Sequence, residues 1–169
     1  MTPPRLARWQ HRRAGLVVLT AVVVAIGVLW LRPVMPEPYF AMQFAFTNAR
    51  ATTALAGWAA EPGLDASVAF LQRDYAFMAL YWLPLVFGVG IAADRYRVRG
   101  TAMTWLPLVA SLCDAVENAF TLRLVSDGRD GTIDGAFLAP AASTAALAKW
   151  MLIAAVVAYV VRSWFVRRG

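Results

Sequence analysis

The chain has 169 residues, 60% of them hydrophobic and only 15% charged, and its mean hydropathy is +0.57. One domain of that composition reads as an integral membrane protein, which sets aside the ordinary soluble-enzyme classes. The formal charge of +6 would suit a nucleic-acid binder, but its placement along the chain excludes that partner.

Four apolar stretches, Ala14–Leu31, Tyr75–Ala93, Thr101–Val125 and Ala136–Val161, predict spans at about 14–31, 72–93, 101–125 and 137–161. Each reaches the roughly 17–20 residues that a helix needs to cross the hydrocarbon core. The expected fold is all-α, one domain over 1–169: an up-down bundle of four transmembrane helices with an outer amphipathic helix between spans one and two.

Residues 1–13 form a basic tail with Arg5, Arg8, Arg12, Arg13, the lone histidine His11, and Trp9 at headgroup level. The first span has the n-region and apolar core of a signal sequence. Its length and the lack of a small-x-small cleavage site make it an uncleaved signal anchor. Pro33, Pro36 and Pro38 then end the helix.

From Tyr39 to Trp58, the residues Phe40, Phe44, Thr47, Ala51, Leu55 and Trp58 recur at helical spacing, with Gln43, Asn48 and Arg50 largely off that stripe. This predicts one amphipathic helix on the outer surface or over the bundle end. Glu61-Pro62-Gly63 stops it, and a new helix from near Leu64 runs into span two. Pro84 and Pro107 fall inside spans two and three, where a kink is tolerated if neighbours satisfy the freed carbonyls. Gly88-Val-Gly90 follows no strand, so it predicts close helix packing and no dinucleotide loop.

Ten of the fifteen arginines lie before span one, between spans two and three, and after span four, with Asp94 as the one acid among them. With four spans these segments share one side, which places both termini in the cytoplasm of a bacterial inner membrane. Cys113 stands alone within a span, so neither a disulfide framework nor a thiolate metal cluster is expected, and no cofactor.

The chemistry concentrates in span three. Asp114, Glu117 and Asn118 share one helix face, and buried ionisable groups at bilayer depth cost roughly 2.5–3.5 kcal/mol each on insertion scales. Counted from the cytoplasmic ends, Asp114 lies roughly 20 Å deep, Lys149 and Tyr81 roughly 18 Å, Glu117 roughly 24 Å and Asp74 roughly 28 Å. These six residues predict a mid-membrane polar pocket, opening outward and walled by spans two, three and four. Two carboxylates a turn apart beside one lysine imply a shared proton or a place for a cation.

The pocket could bind or transport a small cationic, amine-bearing or lipid-like ligand. The same carboxylates could do acid–base chemistry on a lipid or isoprenoid, or merely lock helices together in an accessory subunit. Membrane lipids, a second copy or a membrane complex are the expected partners.

The order Trp58, Asp74 with Tyr81, Asp114-Ala-Val-Glu117-Asn118 and Lys149-Trp150 resembles a family of small bacterial four-helix integral membrane proteins. The Asp-x-x-Glu-Asn element of its third span is the specific part. That resemblance implies that these positions form a set and implies no activity. A weaker similarity is to the sterol isomerase and sigma-2 receptor class, which also places acids in an intramembrane pocket.

Overall fold

A computed structural model describes residues 3–36, 39–60, 63–96, 102–129 and 137–166. Among these there are helices and no strands: α1 Pro3–Leu31, α2 Tyr39–Gln43, α3 Asn48–Ala60, α4 Leu64–Tyr96, α5 Leu106–Arg129 and α6 Leu138–Phe165. Short 3₁₀ turns at Arg32–Val34 and Ala102–Thr104 precede α2 and α5. Three segments are long and apolar enough to cross a membrane: Ala7–Val34, Leu64–Tyr96 and Leu138–Phe165. Their outward faces carry Val18, Val22, Leu29, Leu83, Met151 and Phe165, all exposed, as lipid-facing side chains would be.

The fourth long helix, α5, has 24 residues but carries Asp114, Glu117, Arg123 and Asp127, too many charges to meet the same test. Its charge is segregated, however. Leu108, Val109, Leu112 and Val116 are exposed, while Asp114, Glu117, Asn118 and Thr121 are buried. A helix with one apolar outer face and one polar inner face averages to a middling hydropathy, whatever its surroundings.

Neighbour contacts fix the directions of the long helices. Gly27 of α1 lies under Phe77 of α4, Gly88 of α4 meets Leu16, and Arg12 pairs with Asp94, so α1 and α4 run antiparallel. Asp74 and Tyr81 meet Asn118 and Asp114, which makes α4 and α5 antiparallel as well. Two apolar cores result. One gathers Trp58, Phe70, Leu71, Leu124, Val125 and Leu138; the other gathers Leu16, Val89, Ile91, Val156 and Val160. On α4 and α6 the buried charged residues, Asp74 and Lys149, fall between these two cores in sequence.

Several local expectations change. The basic tail is already helical from Pro3. The segment Tyr39–Trp58 is two helices, because the chain turns left-handed at Phe46 with φ +52°. A side chain in that region costs roughly 1–2 kcal/mol, and the Phe46 N–H is held at 2.9 Å by Ser143 Oγ of α6. Ala51, Leu55 and Trp58 of the predicted stripe are buried, but Phe40 and Thr47 are exposed.

Pro107 does not kink a helix. It is the second residue of α5, in the first turn where no N–H is needed, and the predicted third span accordingly starts later, at Leu106. Gly88 does pack closely, since a Cβ there would sit 3.1 Å from Val160, whereas Gly90 faces open space. Glu61 and Pro62, part of the predicted stop, lie outside the described residues.

Gly63 is the other left-handed residue, φ +96°, with no atom near its would-be Cβ. Its N–H donates to the Trp58 carbonyl at 2.9 Å, closing α3, and its own carbonyl accepts the Ser67 N–H, opening α4. Conformation alone therefore requires glycine. Gly63→Ala should cost about 1 kcal/mol without any steric clash, read as a lowered thermal midpoint in detergent.

Candidate functional site

The six residues singled out by sequence all come to the same layer of the bundle. Lys149 of α6 is 4% exposed, and its Nζ lies 2.8 Å from Asp114 Oδ1 and 2.6 Å from Glu117 Oε2 of α5. The four-residue and three-residue spacings explain this arrangement. Asp114 and Glu117 sit one turn apart on α5, so one ammonium group on the facing helix can bridge them. Tyr81 of α4 donates its hydroxyl to the other Asp114 oxygen at 2.7 Å. One turn along, Asn118 Nδ2 donates to Asp74 Oδ2 at 2.8 Å, joining α5 to α4 a second time.

Charge does not balance in this layer. Three buried carboxylates, Asp74, Asp114 and Glu117, face one buried cation. In a low-dielectric interior such an excess attracts a further positive charge or a proton. Among the described residues no group of three or more His, Cys, Asp and Glu has metal-binding geometry.

Sequence reading missed Gln43, which it put off the apolar stripe of the outer helix. In the structure Gln43 is buried at the end of α2, and its Nε2 donates to Glu117 Oε1 at 2.5 Å and to the Tyr39 hydroxyl at 3.0 Å. Its Oε1 accepts the Trp150 indole N–H at 3.4 Å. Tyr39, also missed, stands edge-on to Phe70 with ring centroids 4.8 Å apart. Burial pushes the Tyr39 phenol well above its ordinary range, and the carboxylates of Asp74, Glu117 and Asp114 push it the same way, so it stays neutral. The signal was faint: a glutamine one turn after a tyrosine, in an otherwise apolar Tyr39–Ala45 segment.

The cavity differs from the predicted one. A space of about 890 Å³ runs along α1, α4 and α6, and the wall supplied by α1 (Leu16, Thr20, Val24, Gly27 and Val28 among it) was not foreseen. From α5 only Asp114 reaches it. Its lining is overwhelmingly apolar, and its charged members are Arg32, Asp74, Asp114 and Lys149. Glu117 and Asn118 stand behind this surface and hold the lining groups. Tyr39, Phe40, Phe70, Phe77, Tyr81 and Trp150 surround the charged part with aromatic rings.

The fold and site thus define an all-helical protein with three membrane-length apolar helices and a buried ion-pair layer beside an apolar groove. No family model matches the chain, and no curated protein or solved structure matches it either.

The ion-pair layer makes a direct stability prediction. Lys149→Met strands two buried carboxylates and should cost on the order of 3–5 kcal/mol. Adding Asp114→Asn and Glu117→Gln to that variant should recover a substantial part of the loss. Thermal midpoints of the single and triple variants in the same detergent decide it. A triple variant less stable than the single one would contradict the pairing.

Proposed function

We propose that the chain is a four-span membrane protein of the bacterial inner membrane that binds, and in doing so can pass on, an amine-bearing amphiphile. The observation that carries this reading is the cavity itself: a long apolar groove whose charged end presents Asp74 and Asp114 among aromatic rings. Carboxylates neutralise an alkylammonium head, aromatic faces attract it through their quadrupoles, and the groove takes the chain. Lys149 supports this selectivity by holding Asp114 and Glu117 in place while leaving the layer short of positive charge.

In this reading α1, α4, α5 and α6 all cross the bilayer. The apolar outer face of α5 supports the fourth crossing, and the basic segments around Arg13, Arg95 and Arg162 support cytoplasmic termini. The motif resemblance to small bacterial four-helix membrane proteins points the same way. A pure helix lock would account for the ion pairs, since each of the three carboxylates has a partner. It gives no reason for the adjoining groove to receive two of those carboxylates.

Two experiments follow. Alkaline phosphatase fused after Thr53 should be active and the same enzyme fused after Val166 inactive, which reads the topology directly. Purified protein in mild detergent should bind dodecylamine about tenfold or more tightly than dodecanol, which has the same chain and no charge. Asp74→Asn should erase most of that difference. Equal binding of amine and alcohol by the folded wild type would defeat the proposal.

A further inference from the structure

One charged residue of the groove has no part in the ion-pair layer. Arg32 follows α1 in the first 3₁₀ turn, is exposed, and lines the same cavity as Asp74. Among the described residues its guanidinium has no carboxylate partner. Its level relative to Asp74 is fixed by a neighbouring bond: Arg73 Nη1 donates to the Trp30 carbonyl at 3.1 Å. Residues 30–32 therefore pass at the level of residues 73–74, and the groove is lined by both this cation and that carboxylate.

A bare alkylamine uses only half of this arrangement. Its ammonium group satisfies Asp74, but it gives Arg32 nothing. A head that joins an amine to a phosphate through a short spacer satisfies both, because guanidinium groups bind phosphate oxygens in a fork geometry and carboxylates bind ammonium. The groove beyond, from Phe77 and Leu85 down to Val160 and Trp164, is apolar and takes a hydrocarbon chain. We infer that the ligand of this site is a phosphoethanolamine-type lipid, with phosphate at Arg32, amine at Asp74 and a chain between α1 and α6. This rests on the amine-amphiphile reading above and narrows it to a zwitterionic head.

The test compares three single-chain probes of equal chain length on purified protein in mild detergent: lysophosphatidylethanolamine, lysophosphatidylglycerol and the plain alkylamine. Native mass spectrometry or a tryptophan-quenching titration gives the affinities. Wild type should bind lysophosphatidylethanolamine about tenfold more tightly than either of the others. Arg32→Gln, at an exposed position that threatens no packing, should bring it level with the alkylamine, and Arg32→Lys should restore part of the preference. Asp74→Asn should bring it level with lysophosphatidylglycerol instead.

If wild type binds the phospholipid and the alkylamine equally, and Arg32→Gln changes neither, the phosphate contact is wrong while the amine reading survives. If folded wild type prefers lysophosphatidylglycerol, or binds none of the three, both are wrong.

Discussion

One ammonium group organises the interior. Lys149 Nζ reaches Asp114 and Glu117 at once, and through them α6 is tied to α5, α5 to α4 by way of Tyr81, and α5 to α2 by way of Gln43. Apolar side chains alone cannot set helix register well where the surroundings are as apolar as they are, because sliding a leucine past lipid costs little. Charged partners have no such freedom. A one-residue slip of α6 would turn Lys149 away from both carboxylates and leave them unpaired in a low dielectric, so the polar layer specifies the register that the apolar layers on either side then fill.

The short helix α2 is an unusual use of five residues. It is too short to be stable by itself, and its hold on the bundle comes from Gln43, whose amide links α5 and α6, and from Tyr39, which packs against Phe70 and Trp58. The left-handed turn at Phe46 sharpens the arrangement. A continuous helix would carry residues 39–43 and the Trp58 stripe along a single axis. The break lets α2 lean over the ion pairs while α3 buries Ala51, Leu55 and Trp58 in the apolar core. Ser143 of α6 supplies the bond that makes the break affordable.

Much of this was legible in the chain itself. Charged residues at helical spacing inside apolar runs mark an inward face, and Asp74, Tyr81, Asp114, Glu117, Asn118 and Lys149 were found by that rule because their polarity contrasts with everything around them. Gln43 lacked that contrast: in a segment already read as interfacial, one glutamine is unremarkable. The contribution of α1 to the cavity was invisible for the opposite reason. Its valines and glycines look alike on every side, and no periodicity says which face meets α4 and which meets lipid. The break at Phe46 left no glycine or asparagine as a sign, since a tertiary bond from Ser143 enforces it. Pro107 was misplaced because proline reads the same at a kink and in a first helical turn.

The two ends of the groove are closed to different degrees. At the Trp164 end, Arg13 lies 4.4 Å from the ring centroids of both Trp9 and Trp164, and Arg95 stacks on Trp9 at 4.8 Å, so the start of α1 and the end of α6 are clasped by alternating rings and guanidinium groups. At the Arg32 end, α1 leans on α4 through Gly27 and Phe77, and the cavity separates it from Trp150 of α6. The groove is therefore fastened by this cluster at its Trp164 end. In the topology proposed above such a groove would be sided: a molecule drawn from the outer leaflet would slide in tail-first along its existing orientation, whereas one from the inner leaflet would first have to invert. On the proposed function, the clasp of tryptophan and arginine would make the protein a reader of one leaflet.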